Sequence, residues 1–450
     1  MVNVRRAGIV AALATAIGVV IALVPGHRGW FDVGVYHDAV HYWVDDHGDL
    51  YAFLRPGTIY GFTYPPFAAV VMLPMALLGW HTTIAVSCVL TAIASAFLLF
   101  TLVDPIARRA GWSRWYSLAL AACAFACLNP VRDTVSFGQI NLVLVALAYV
   151  DLQLLLRGSR WAGIGIGLAA AIKLTPALFI LYLVVTRRGR AALTAVLTAA
   201  AATLLAAAYD PDTSRTYFTG VAFDTSRIGN LDYVSNQSLL GLVSRLHADQ
   251  TLWAAAGLVV LVVWFLRVRV ATPTAGFALT GIASCLLSPI TWVHHLVWVV
   301  PAFAVLLDEG VRRRRVPWWG VTGYVILVSS IVWLWSVHYD GVLGFLGADA
   351  YVFVGLGLLF GLPVRGSAVA GGSAAAGGSA AAAGGSASQA LVDGEEAADR
   401  RVPAEPLSPV ASPPAAHVGR LGQQLPDPRR EVLAGHRDAR RPDDVRQGAR

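Results

Sequence analysis

The stretch Gly163–Val185, "GIGIGLAAAIKLTPALFILYLVV", decides how the chain is read. Lys173 is the only lysine among 34 Lys and Arg residues, and no other charge shares this apolar run with it. Pro176 removes a backbone donor and interrupts any helix begun upstream. The run therefore reads as two half-length helices, 161–172 and 174–186, meeting at "IKLTP". Arg157 and Arg160 precede it, and Arg187, Arg188 and Arg190 follow it. Arginine collects on the cytoplasmic side of a membrane, so both flanks are inside and the run makes an even number of passes. Lys173 then stands at the tip of a broken hairpin that points outward. Irregular backbone at membrane depth is tolerated only where it is buried in protein or lines a wet cavity.

The rest of the chain agrees with a membrane setting. Hydrophobic residues make up 56% and charged residues 14%, with a mean hydropathy of +0.61, which excludes an ordinary soluble domain. Apolar runs of membrane length fall at 7–25, 82–103, 115–129, 138–156, 191–208, 251–266, 274–288, 291–307, 317–336 and 345–362. The run 66–79 is short and holds Pro74, so it is expected to enter and leave the outer leaflet or lie on it. The expected fold is all-α, a polytopic transmembrane helical bundle of roughly 10–13 membrane segments with broken or re-entrant helices. The first run ends in "LVPGHRGW", without a small-x-small cleavage site, so it is expected to stay as an uncleaved helix.

Arg5 and Arg6 place the N-terminus inside, and counting crossings between arginine clusters orients the remainder. Loops 26–64 and 209–250, and the stretch "SPITWVHH", fall outside. The polar outliers of the apolar region thereby gather on one face: Asp32, Asp38, Asp133, Gln139, Asn141, Lys173, Asn236, Gln237, His294 and His295. The net charge of +7 reports membrane orientation, not nucleic-acid binding. The four cysteines sit in apolar segments with no metal-ligand spacing, and no Walker, Rossmann or zinc motif occurs. From 366 onward, "GSAVAGGSAAAGGSAAAAGGSAS" is linker-like and the remainder has no apolar periodicity. Two units are expected: a membrane domain, 1–365, and a disordered low-complexity cytoplasmic tail, 366–450.

Several outer-face residues have chemistry to offer, each beside a plainer reading. Asp32 lies among Trp30, Phe31, Tyr36, Tyr42 and Trp43. Aromatic neighbours raise a carboxylate's proton affinity and suit it to general-base work, although an interfacial anion fits the same position. Ionisable groups inside membranes are costly and point to function by default. Lys173 is accordingly a candidate to bind an anionic head group such as phosphate, with snorkelling to the headgroups as the plain alternative. Gln139 and Asn141 read as ligands or helix caps, and Asn236 and Gln237 close the large outer loop. His294 and His295 are adjacent and face different directions on a helix, a poor metal chelate but able to bond two separate groups.

Taken in order, "FDVGVY", "FTYPPFAAVV", "GQINLVLVAL", "AAAIKLTPALF", "SNQSL" and "SPITWVHH" resemble a known family. They are similar to the polyprenol-phosphate-mannose-dependent mannosyltransferases of mycobacteria and related actinobacteria. These are multi-pass enzymes of the GT-C superfamily, glycosyltransferase family 87, that include the phosphatidylinositol mannoside enzymes. The similarity runs from about residue 1 to 362. It implies a β-mannosyl phosphate on a polyprenol as donor and a lipid acceptor facing the periplasm. It also implies that the early-loop aspartate, here Asp32, is the catalytic base. The family's histidine after the "SP" turn maps onto His294 or His295, with the doubled histidine leaving both open.

The expected function is therefore an inverting membrane mannosyltransferase at the outer face of the plasma membrane, using a polyprenyl-phosphate donor and a glycolipid acceptor. Asp32 is the expected base. Lys173, His294, His295 and Arg132 are candidates to hold the donor phosphate, and Tyr36, Tyr64, Gln139, Asn141, Asn236, Gln237 and Trp292 to line the substrate site. No metal and no cofactor are expected, since no carboxylate pair resembles a metal site. Two alternatives stand beside this reading: a polyprenyl-phosphate-arabinose-dependent arabinofuranosyltransferase, and a lipid flippase or transporter. Transporters often carry matched broken helices in two halves, and a second copy of "IKLTP" is absent.

Overall fold

The computed structural model describes residues 2–23, 26–336 and 339–364. The expected tail, 366–450, lies outside the described residues. Within them the chain forms 18 α-helices joined by short 3-10 turns, and no strand. Five helices are long and apolar enough to cross a membrane: Asn3–Leu23, Trp80–Arg109, Gly189–Tyr209, Gln250–Val268 and Val293–Arg313. Two bent pairs raise the number to seven if each is one span: Arg114–Cys127 with Asn129–Phe137, bent by 74°, and Gly341–Ala348 with Ala350–Gly361, bent by 62°. Shorter apolar helices, among them Asn141–Leu156, Thr175–Val185, Pro273–Leu287 and Trp318–Ser329, complete the bundle.

Local sequence explains several helix starts. Proline occupies the first turn at Pro66, Pro130, Pro211 and Pro273, where its missing N–H costs nothing. Asp210, Ser238, Asp249 and Thr272 cap their helices by accepting from backbone N–H groups. The helix Pro273–Leu287 is apolar nearly all round and is correspondingly buried on nearly all sides. Phe277 on this helix meets Phe179 at 5.2 Å and Tyr182 at 5.1 Å, and Trp298 covers Phe179 at 5.1 Å. This aromatic core lies beneath the break at Lys173.

The "GIGIG" motif shows why the broken segment sits where it does. A Cβ added at Gly163 would lie 2.2 Å from the Ala191 carbonyl oxygen. At Gly165 it would lie 2.3 Å from that of Leu147, and at Gly167 2.5 Å from that of Ala195. Alternating glycines thus let the helix Ile164–Ile172 press its backbone against both neighbours, Asn141–Leu156 and Gly189–Tyr209. Asp151, fully buried in the first of those neighbours, reaches across to accept from the Ile166 N–H at 2.7 Å. An intramembrane carboxylate therefore satisfies a helix start that has no side-chain cap of its own. After nine residues the helix ends at Lys173, whose backbone is extended, and Leu178–Val185 resumes beyond a 3-10 turn at Thr175–Ala177. At about 1.5 Å per residue each piece spans about half of the roughly 30 Å hydrocarbon layer. The expected pair of half-length helices is what forms.

Three segments differ from the sequence reading. The loop 26–64 contains a regular helix, Phe31–Val44, whose buried side is Val33, Val35, Tyr36, Ala39, Val40 and Trp43. The expected spans 115–129 and 138–156 are separated by a further helix, Asn129–Phe137, which turns sharply at Leu128. The loop 209–250 carries two short helices, Pro211–Thr219 and Leu239–Arg245. The helices Phe31–Val44 and Leu239–Arg245 bury mainly apolar residues, whereas Asn129–Phe137 and Pro211–Thr219 also bury polar ones, among them Asp133, Thr134, Thr213 and Ser214. The loops 26–64 and 209–250 also join one another: Trp43 Nε1 donates to Asp210 Oδ2 at 2.8 Å, and Arg227 donates to the Tyr51 carbonyl.

Candidate active site

Asp32 stands in the first turn of the helix Phe31–Val44. The turn is fixed from behind, where the Trp30 N–H donates to the Ser136 carbonyl at 3.0 Å. Gly138, with φ of +72°, ends the neighbouring helix, and a Cβ there would stand 2.6 Å from the Val33 side chain. That close approach delivers Gln139, whose Nε2 donates to Asp32 Oδ2 at 2.7 Å. The carboxylate is only half-buried and so is within reach of a substrate. Burial nevertheless raises its pKa to about 6, against the opposing Gln139 hydrogen bond and the Lys173 and Arg55 charges. A carboxylate with that proton affinity is largely ionised at neutral pH and still able to accept a proton.

Gln139 is the first link in a line of neutral groups. Its Oε1 accepts from the Tyr64 hydroxyl at 2.8 Å. The Tyr64 oxygen in turn accepts from the Tyr36 hydroxyl at 2.9 Å and from Lys173 Nζ at 3.2 Å. Burial pushes the Tyr64 pKa up, so this phenol keeps its proton and the direction of the line is set. Pro65 and Pro66 follow Tyr64 and lock the extended approach to the helix Pro66–Met72. Lys173 also donates to Asn141 Oδ1 at 3.0 Å, and its Nζ lies 2.8 Å from His295 Nε2. All of its direct partners are neutral in kind, and no ion pair involves it among the described residues. An ammonium at this depth without a counter-ion in contact is a ready anion site.

The structure thus brings together Asp32, Tyr36, Tyr64, Gln139, Asn141, Lys173 and His295. Trp292 is half-buried nearby, its ring 6.1 Å from that of Tyr233. His294 faces away from the line. Its carbonyl accepts from Thr134 Oγ1 and Asn141 Nδ2, its ring packs on Phe137 at 5.1 Å, and its Nε2 has no partner.

Three candidates are otherwise engaged. Arg132 donates to the Val328 carbonyl at 3.0 Å and to Ser330 Oγ at 2.7 Å, a tie to the end of the helix Trp318–Ser329. Asn236 spends its amide on the backbone, donating to Leu231 and Pro289 carbonyls and accepting from Thr291 and Ser238 N–H groups. Gln237 donates to the Val234 and Ala348 carbonyls and accepts from Tyr351 and Val352 N–H groups, which caps the helix Ala350–Gly361. These amides hold loops in place and leave no polar atom for a substrate.

Arg55, which the sequence reading passed over, belongs to the site. Its guanidinium donates to the Phe31 carbonyl, lies 4.9 Å over the Phe31 ring, and adds positive charge beside Asp32. An arginine in a loop that the sequence reading places outside, against the usual bias, was the available signal. Among the described residues no group of three His, Cys, Asp or Glu side chains is placed to hold a metal ion.

A helical membrane chain that sets a reachable carboxylate and an unpaired ammonium around one hydrogen-bonded line is an integral membrane enzyme. The chain belongs to glycosyltransferase family 87, whose model matches residues 62–289, a segment that includes Tyr64, Gln139, Asn141 and Lys173. It is 35% identical, over 67% of its own length and 76% of the relative's, to a polyprenol-phosphate-mannose-dependent alpha-(1-2)-phosphatidylinositol mannoside mannosyltransferase of Mycobacterium tuberculosis. The Mycolicibacterium smegmatis protein of the same name is 31% identical over 69% of this chain and 77% of that one. An alpha-(1-2)-phosphatidylinositol pentamannoside mannosyltransferase of Mycobacterium tuberculosis is 31% identical over 63% and 70%. No solved structure matches the chain.

Proposed function

We propose that residues 1–365 transfer mannose from a polyprenyl-phosphate mannose to a lipid-linked mannoside at the outer face of the plasma membrane, with inversion. The acceptor is of the phosphatidylinositol mannoside or lipomannan type. The observation that carries this reading is the line from Asp32 through Gln139 and Tyr64 to Lys173. It holds a base and a cation in one site while keeping them out of contact. The names of the relatives support the donor and the class of acceptor.

In this mechanism Asp32 takes the proton of the acceptor hydroxyl as that oxygen attacks the anomeric carbon. The bond from that carbon to the phosphate oxygen breaks on the opposite face, so a β-linked donor yields an α-mannoside. The proton ends on Asp32 and the negative charge ends on the departing polyprenyl phosphate. Lys173, with His295 beside it, receives that charge by exchanging one of its neutral partners for a phosphate oxygen. Stabilising developing charge with a preorganised donor is worth about 100- to 1000-fold in rate. A single phosphate that meets an ammonium needs no divalent ion, so transfer is expected to continue in EDTA.

The reading is tested with membranes containing the chain, a labelled polyprenyl-phosphate mannose and a phosphatidylinositol mannoside. Labelled glycolipid should form, and polyprenyl-phosphate arabinose should not substitute as donor. Transfer from the arabinose donor alone would overturn the sugar assignment, and undiminished transfer by Asp32→Asn would overturn the mechanism.

A further inference from the structure

Behind the line from Asp32 to Lys173 lies a second group of buried polar atoms that the proposed chemistry leaves idle. Asp133, in the helix Asn129–Phe137, is 3% exposed, and its Oδ2 has no hydrogen-bond partner. Its Oδ1 is 3.8 Å from Arg28 Nε, too far for a hydrogen bond, and Arg28 Nε has no hydrogen-bond partner either. Asn129 hydrogen-bonds this carboxylate, and Arg132 adds a second positive charge beside it. His294 is 4% exposed and its Nε2 is likewise unpartnered.

One aromatic surface ties the three together. Phe137 lies one helical turn beyond Asp133, packs its ring on His294 at 5.1 Å, and carries Arg28 over its face at 5.8 Å. Trp333 closes the far side, 4.2 Å below the guanidinium, and Tyr233 packs on Trp333 at 6.3 Å. Native proteins leave few buried polar atoms unpaired, and each exception calls for a cause, a functional role among them. Three such atoms around one aromatic face are a cluster and not an isolated defect.

The chemistry of the group narrows its ligand. A carboxylate oxygen repels phosphate, which removes the donor's leaving group. An acceptor oxygen, a guanidinium N–H and an imidazole nitrogen together satisfy neutral hydroxyls, which both give and take hydrogen bonds. Aromatic faces beside them suit the apolar side of a sugar ring. Asp133 lies in the last turns of the helix that Gly138 ends, and Gln139, the residue after Gly138, touches Asp32. Arg28, whose side chain is 30% exposed, is the member open to the outside.

We propose that Arg28, Asp133 and His294 form a subsite for a sugar ring of the glycolipid acceptor, adjacent to the ring whose hydroxyl faces Asp32. The ligand enters by drawing the Arg28 guanidinium off Trp333, and its hydroxyls pair with Asp133 Oδ2, Arg28 Nε and His294 Nε2. This rests on the mannosyltransferase reading, and it adds that the enzyme measures the acceptor beyond the reacting sugar.

Asp133→Asn and Arg28→Gln are assayed in membranes with the two substrates varied separately. Each variant is expected to raise the KM for a phosphatidylinositol mannoside by about 10- to 100-fold, the value of a hydrogen bond to a charged group. The donor KM should move less than twofold. A short synthetic mannoside with one sugar, unable to reach the subsite, should be used equally by wild type and variants. An unchanged acceptor KM in Arg28→Gln, or an equal rise in both KM values, overturns the subsite while leaving the mannosyltransferase reading intact. Wild type that transfers no mannose overturns both. Since Asp133→Asn is buried and could fail to fold, Arg28→Gln decides the matter if the two disagree.

Discussion

The junction at Asp349 and the break at Lys173 each hold opposite charges at a helix end, and they treat them differently. At the junction of Gly341–Ala348 and Ala350–Gly361, Arg245 and Asp349 meet directly, with side chains 1% and 0% exposed. The guanidinium also donates to the carbonyls of Asp232, Tyr233 and Asn236, so its donors are spent on holding the loop 209–250. At the break after Ile172, Lys173 and Asp32 stay apart with Gln139 and Tyr64 between them. Charges in contact neutralise each other and brace the fold. Charges held one neutral bridge apart keep their appetite for a proton and for an anion.

The comparison can be broken most sharply at Asp32. Asp32→Asn is expected to lower kcat by about 100- to 10,000-fold, the span of general-base contributions. The same substitution should leave the thermal stability of the detergent-purified protein nearly unchanged, and a large loss of stability would make Asp32 a brace like Asp349. Lys173→Ala should cost about 100- to 1000-fold in kcat, read by single-turnover transfer from labelled donor. Undiminished donor affinity and rate in that variant would return Lys173 to a snorkelling role. Arg245→Met tests the other half. It strands Asp349 in the interior and should cost about 3–5 kcal/mol of stability, seen as a lowered melting temperature, while the rate per folded molecule changes little.

The smallest effect is a shift in a pH profile. Asp32 must be ionised to act, and its pKa is about 6, so kcat/KM should fall tenfold per pH unit below that value. The Gln139 hydrogen bond lowers this pKa against burial, so Gln139→Ala should move the acid limb to higher pH. A limb that stays in place, or moves down, would show that Asp32 is not the group titrating.

The Lys173 half of this contrast was legible in the sequence. A lone lysine before Thr-Pro in an uncharged run marks a costly residue at a helix break, and the structure has both the break and the extended Lys173. The gathering of Asp32, Gln139, Asn141 and Lys173 on one face followed from arginine placement alone. What stayed hidden was whether a polar side chain faces a cavity or its own backbone. Asn236 and Gln237 have the same residue types and the same setting as Gln139 and Asn141, yet their amides are consumed by loop carbonyls and N–H groups. Sequence gives the donor and acceptor but not the partner. The helix Phe31–Val44 was missed because its one buried stripe is diluted by His37, Asp38, His41 and Tyr42. Arg55 is separated from Asp32 by a loop, and only the fold closes that distance.

The three glycines beneath Lys173 have a bearing on how this enzyme fails. At Gly163, Gly165 and Gly167 the obstacle to a methyl group is a carbonyl oxygen of a neighbouring helix, which has no rotamer to change. Any added bulk would have to be absorbed by sliding the segment, and its free end carries the ammonium. A single carbon roughly 9 to 15 Å from the chemistry would thereby unseat the cation without touching a substrate, so harmless-looking alanines at these positions belong among the inactivating variants of this chain.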